Sequence, residues 1–109
     1  MPRVDLSELT QGGEVRNLSG HERGFAARKY FGLDSYDRDN EPVVVVVPAD
    51  VFTLTPSFFQ GMFSQSVQAL GGDRLRFLAH YRFVASPIIM RQIDRGIEAV
   101  KTRRGDVLA

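Results

Sequence analysis

The 109-residue chain has no cysteine. That absence removes disulfides, thiolate metal ligands and thiol nucleophiles, and it fits a reducing cytoplasm. Histidine is scarce as well: His21 and His80 are the only two, and neither stands at metal-ligand spacing from a second ligand. Charge of one sign is not in excess, because 14 Lys and Arg against 13 Asp and Glu leave a net charge of +1, without the global field of a general polyanion binder. No apolar run approaches membrane-spanning length, and the opening MPRVDLSELTQGG lacks the basic-then-apolar order of a secretory leader. These absences predict a cytoplasmic domain that makes no use of a membrane and acts through local features.

Catalytic signatures are missing too. The glycines at 12, 13, 20, 24 and 32 form neither a phosphate loop nor a dinucleotide fingerprint. Thr55-Pro56-Ser57-Phe58 is not a nucleophile elbow, and no Ser, His and acid assemble into a triad. The expectation is a protein without enzymatic activity, cofactor or metal, in which both histidines are ordinary surface residues.

What is present points to one α/β domain, large enough to bury roughly two-thirds of the surface its unfolded chain exposes. The run Val43 to Val47 has no period-2 alternation, so it reads as an interior strand that is apolar on both faces, in a mainly parallel or mixed sheet. Before it, Glu14 to Leu18 reads as a short strand with Val15 inward. Ser19-Gly20-His21-Glu22 has the form of a capping box. It opens a helix that runs to about Phe31, presents Phe25, Ala26 and Tyr30 to the core, and stops at Gly32. Residues 34 to 41 read as an exposed polar loop.

After the valines, Thr55, Pro56 and Ser57 set the start of a helix that ends near Leu70, with Phe59, Met62, Phe63, Ser66 and Leu70 as its buried stripe. Leu75, Phe77 and Ala79 alternate with Arg74, Arg76 and His80, the pattern of a strand over Arg74 to Tyr81. Ser86-Pro87 then opens a last helix that buries Ile89, Ile93, Ile97 and Val100 and leaves Arg91, Asp94, Arg95, Glu98 and Lys101 to water. The resulting expectation is one sheet of about four strands with about three helices. The domain would span 14–104, between a separate N-terminal segment 1–13 and a tail 105–109.

The succession HERGFAARKYFGL, hydrophobic strand, VFTLTPSFFQGMF and ALGGDRLRF resembles the small STAS-like domains of uncharacterised function, relatives of the sulfate-transporter and anti-sigma-factor-antagonist fold. The likeness covers roughly Glu14 to Val100 and is most specific at Thr55 to Phe58. Members of that family tend to carry an acidic residue at the end of the central strand; here Val47-Pro48 stands there, with Asp50 as a displaced substitute. The resemblance implies a regulatory interaction module of bacterial type whose partner, often a histidine-kinase-like ATPase, meets the loop and helix start after the central strand, where a Ser or Thr can be phosphorylated. Thr55 and Ser57 occupy that region.

Capping by itself accounts for Thr55 and Pro56, stabilising the helix by about 1 kcal/mol, so Ser57 carries more of the functional expectation. Arg23, Arg28 and Lys29 on the first helix form a second candidate partner surface beside the plain alternative of a solvated face. Lys101, Arg103 and Arg104 complement the negative end of the last helix. A small nucleic-acid-associated protein using these basic ends is the alternative reading, weakened because Phe25, Tyr30 and Tyr81 read as packing residues and not as a stacking platform.

If Val43 to Val47 is an interior strand, Val45→Asp buries a charge without a partner and costs several kcal/mol or prevents folding. Thermal melting measures this, and a cooperatively folded variant with a near-normal midpoint would refute the assignment.

Overall fold

The computed structural model describes residues 1–108, with side chains as far as Lys101. In chain order the elements are β1 (Arg3–Asp5), two 3-10 turns (Leu6–Leu9 and Gln11–Gly13), β2 (Asn17–Leu18), α1 (His21–Phe31) and α2 (Leu33–Arg38), then β3 (Val43–Val46), β4 (Thr53–Leu54), α3 (Pro56–Ala69), α4 (Arg74–His80), β5 (Tyr81–Val84) and α5 (Pro87–Leu108). The valine run supplies the middle strand of a three-stranded parallel sheet ordered β1-β3-β5. In place of a fourth strand in that sheet, β2 and β4 form a separate parallel pair, Asn17 with Thr53 and Leu18 with Leu54. The whole is a compact α/β domain with five α-helices.

The strand register sets which side chains share a face. Val4, Val45 and Phe83 lie level across the three strands, and Val43 pairs with Tyr81. Val4, Val43, Val45 and Tyr81 are fully buried beneath α3, whose Phe63 ring sits 5.4 Å from the rings of both Tyr81 and Phe83. The intervening rows, Arg3-Val44-Arg82 and Asp5-Val46-Val84, belong to the other face. There Arg3, Arg82 and Val84 are exposed while Val44, Val46 and Asp5 are half-buried. The valines are therefore fully covered on one face and half-covered on the other.

The N-terminal segment 1–13 belongs to the domain. Its β1 flanks the valines, Val4 and Leu6 enter the core, and Asp5 accepts from the Ser7 backbone N–H at 2.9 Å to start the first 3-10 turn.

The boundaries expected for α1 hold, but its orientation is rotated. Gly20 is the N-cap and makes no side-chain cap bond, so the Ser19-Glu22 capping box does not form. Gly32 closes the helix in the left-handed conformation, φ 68°, and its N–H reaches the Arg28 and Lys29 carbonyls. The inward stripe is Gly24, Ala27 and Arg28, while Phe25, Ala26 and Tyr30 face out.

The cause of that rotation is a close crossing. A Cβ on Gly24 would lie 2.1 Å from the Phe58 carbonyl oxygen, and one on Gly61 would lie 2.0 Å from that of His21. Backbone meets backbone there, so large side chains must turn away. Behind α3, Gly96 of α5 abuts the Phe59 ring, 2.5 Å from where its Cβ would stand.

Two segments take a different state from their pattern. Residues 34 to 41 contain α2, anchored by the buried Leu33. Arg74 to His80 is helical because Asp73 caps it, accepting from Leu75 N–H at 2.9 Å and Arg76 N–H at 3.4 Å. Its buried residues Phe77 and His80 follow helical spacing, and Leu75 is exposed. The strand begins only at Tyr81. In α5 the Ser86 hydroxyl accepts from Ile89 N–H at 3.3 Å, the Ile89-Ile93-Ile97-Val100 stripe is buried, and the helix continues to Leu108 instead of leaving a tail from 105.

In an open helix Gly→Ala stabilises by about 1 kcal/mol. At Gly24 the sign reverses, because the methyl enters backbone, and Gly24→Ala destabilises by about 1–3 kcal/mol or more. Urea unfolding reads this directly; a Gly24→Ala variant as stable as wild type would contradict the close crossing.

Candidate functional site

The connection from β3 to α3 is held from both sides. Thr55 N–H donates to the Leu18 carbonyl at 2.9 Å, and Leu54 N–H donates to Gln92 Oε1 of α5 at 2.6 Å. Thr55 is extended (φ −73°, ψ 156°) and caps α3, its hydroxyl oxygen accepting from Phe58 N–H at 3.2 Å. Pro56 fills the first turn, where its missing N–H costs nothing. Ser57 is exposed, and its hydroxyl lies 3.1 Å from that of Thr55. The structure thus divides the pair: Thr55 caps the helix, while Ser57 stands exposed in the first turn, its hydroxyl sharing a hydrogen bond with that of Thr55. No acidic residue occupies that turn, so the positive end of the helix dipole is not offset locally.

Asp50 is exposed in the same connection, but its carboxylate lies beside Gly13, where a Cβ would approach it to 2.8 Å. Phe52, between Asp50 and the cap, is 58% exposed. It is kept in place by its N–H bond to the Arg16 carbonyl at 2.7 Å and by the Arg16 guanidinium 5.5 Å from the ring centre. The loop therefore presents an aromatic side chain, an acid and the Ser57 hydroxyl on a braced backbone.

The three basic residues of α1 do not form one surface. Arg23 is exposed at the rim of a groove of about 590 Å³ lined by Leu9, Val15, Leu18, Ala26 and Phe58. Tyr30, also lining it, donates to Glu8 at 2.9 Å. Lys29 points outward, with its ammonium 4.7 Å from the centre of the Phe25 ring. Arg28 is 3% exposed and is withdrawn from any partner surface. Of the C-terminal bases, Lys101 lies 3.8 Å from Glu98; the side chains of Arg103 and Arg104 fall outside the described residues.

Arg28 is the centre of a closed polar cluster that the sequence reading missed. One guanidinium nitrogen donates to the Met62 carbonyl at 3.1 Å and to the Ser66 hydroxyl at 2.9 Å. The other donates to Asp34 at 2.6 Å and to Asp37. Tyr81 donates its phenol proton to the second Asp37 oxygen. Burial opposes the guanidinium charge, but the bonds to Asp37 and Asp34 prevail and raise its pKa. Burial, reinforced by the Asp37 carboxylate, likewise pushes the Tyr81 phenol above its ordinary value, so it stays a donor.

Among the described residues no buried side-chain polar atom lacks a hydrogen-bond partner, and both terminal guanidinium nitrogens of Arg28 are engaged. The available sequence signal was the i, i+3 pair Asp34 and Asp37 beside Leu33, which marks a short helix with one acidic face.

His80 is buried, not a surface residue. Its Nε2 lies 2.7 Å from the Tyr36 carbonyl, which can only accept, so that nitrogen carries the proton. His21 is exposed at the start of α1. Among the described residues no cluster of three or more His, Cys, Asp or Glu side chains is placed to hold a metal ion. None of their helices is long and apolar enough to cross a membrane. No family model, curated protein or solved structure matches the chain.

Removing one member of the Arg28–Asp37 pair strands the other. Arg28→Met is expected to cost about 3–5 kcal/mol, and the double variant Arg28→Met/Asp37→Asn to recover a substantial part of it. Chemical denaturation of the four proteins of the cycle gives the coupling. Strict additivity would show that the pair contributes nothing specific.

Proposed function

We propose that the chain is a regulatory protein-interaction module of STAS-like type, and that its partner surface is the β3–α3 connection with the first turn of α3. The observation that carries the reading is the division of labour between Thr55 and Ser57. Structural capping is complete without Ser57, whose hydroxyl is left exposed at the positive end of a 14-residue helix. The solvent-facing Phe52 in the same connection offers the apolar anchor that protein interfaces favour.

In this reading the partner is a histidine-kinase-like ATPase or a regulator of that kind, and Ser57 is the switch. Transfer of the γ-phosphoryl group of ATP to Ser57 Oγ forms a phosphoester, with ADP leaving and the hydroxyl proton passing to solvent. The phosphate adds about −1.5 to −2 charges. The helix end tolerates that charge, so the domain remains folded while the contact with the partner changes. Asp50 adds an exposed charge in the same connection, while Arg23 and Lys29 stand on α1 as further exposed charges. The small parallel sheet and its helices are compatible with a STAS-like relative that carries its own strand arrangement.

Ser57→Asp is expected to alter affinity for a histidine-kinase-like ATPase by at least about tenfold, roughly 1.4 kcal/mol, with thermal stability close to wild type. Ser57→Ala should retain binding. Incubation of wild-type protein with that ATPase and ATP should add one phosphate, placed on Ser57 by mass spectrometry. Unchanged binding by a folded Ser57→Asp variant would reject the switch.

A further inference from the structure

We propose that the open face of the parallel sheet is the interface of a weak, two-fold symmetric homodimer. Parallel sheets are ordinarily covered on both faces, yet here the second face is incompletely covered, with Val44 and Val46 half-buried and Val84 exposed. That face carries Val44 and Val46 on β3, Val84 on β5 (57% exposed), Arg3 and Asp5 on β1, and Arg82 on β5. Three valines, two of them half-buried, are edged there by charges of both signs.

The charges identify the occupant as a second copy and select one orientation. Arg3, Val44 and Arg82 form one row across the strands. Asp5, Val46 and Val84 form the next such row, two residues further along, or roughly 6.6 Å away. Two copies can stack face to face with the two-fold axis parallel to the strands or perpendicular to them. The parallel axis sets β1 against β5 and brings Arg3 onto Arg82, cation on cation.

The perpendicular axis, crossing the sheet at the level of Val4, Val45 and Phe83, keeps β1 opposite β1 and reverses its direction. Arg3 of each copy then meets Asp5 of the other, Val44 meets Val46, and the stem of Arg82 lies over Val84. Within one chain Arg3 and Asp5 are a loose pair at 3.8 Å, with 64% and 33% of their side chains exposed, so Arg3 and the Asp5 oxygen not held by the Ser7 N–H can exchange partners. A flat face of three strands covers only roughly 200 Å², well short of the about 800 Å² per partner of a stable complex. The association is therefore reversible and concentration-dependent.

Sedimentation velocity over a concentration series tests this at low ionic strength. Wild type should move from monomer towards dimer as concentration rises. Val84→Lys, at an exposed position, should remain monomeric because each lysine would face Arg82 of the other copy. Arg3→Asp and Asp5→Arg should each be monomeric alone, yet associate when mixed in equal amounts, since mixing restores both cross-copy ion pairs. Circular dichroism checks folding; should Asp5→Arg lose its fold with the Ser7 cap, Val84→Lys decides. A wild type monomeric at the highest concentration, or self-association undiminished in folded Val84→Lys, would overturn the proposal. The Ser57 readout is independent, because that hydroxyl lies on the helical layer and none of these substitutions touches it.

Discussion

A single buried guanidinium joins three helices and, through one carboxylate, the last strand. Arg28 leaves α1, reaches the Met62 carbonyl and Ser66 on α3, and binds Asp34 and Asp37 on α2; through Asp37 it is linked to Tyr81 at the start of β5. Burying such a charge is costly, and the cost is offset only when its donors are satisfied together. Formation of α2 is therefore tied to the docking of α1 on α3. The six-residue α2 is too short to be stable alone; the Arg28 cluster and the buried Leu33 supply what its length cannot.

The same docking explains what α1 shows to solvent. With Gly24 and Gly61 bringing two backbones into contact, the inward stripe of α1 has room only for glycine, alanine and the slender stem of Arg28. Phe25 and Tyr30 must then be outside, where Lys29 covers part of Phe25 and Glu8 accepts from Tyr30. These exposed aromatics follow from the crossing and require no ligand to account for them. The exposed Phe52 is turned outward between the buried Val51 and Leu54 and is covered in part by Arg16.

The elements that were legible in the sequence are those whose signal is local. The Thr55-Pro56 start of α3, the Gly32 stop of α1, the Ser86-Pro87 start of α5 and its isoleucine stripe all act within a turn or two. The valine run revealed the central strand but not the exposure of its outer face, because valine suits a covered and an open face alike. That information lay in Arg3, Asp5 and Arg82 on the neighbouring strands, and only the register brings them beside Val44 and Val46.

The α4 segment misled for a physical reason. RLRFLAH satisfies both a period of two and the 3.6 of a helix, and the Asp73 cap after Gly71-Gly72 decides between them. Arg28 was misplaced because the reading of a basic helix face assumed that charge stays in water, and its two acids lie six and nine residues away on an element that the polar composition concealed. At the candidate site, Ser57 was legible as a position, whereas Phe52 and the bracing by Arg16 and Gln92 were not, since they depend on tertiary neighbours.

The anchoring of α3 is uneven, and this governs what a charge at Ser57 can do. From Phe58 onward the helix is fixed by backbone contact at Gly61, by the bonds of Arg28 to Met62 and Ser66, and by the aromatic packing of Phe59 and Phe63 against Phe77. Its first two residues, Pro56 and Ser57, project ahead of those contacts and are exposed, with the Thr55 cap behind them. A charge on Ser57 faces solvent at the positive end of the helix dipole, and it is separated by more than a helical turn from the Arg28 cluster that stabilises the core. The domain can therefore change the charge of its helix entrance without disturbing its interior, as a module that signals through its surface requires.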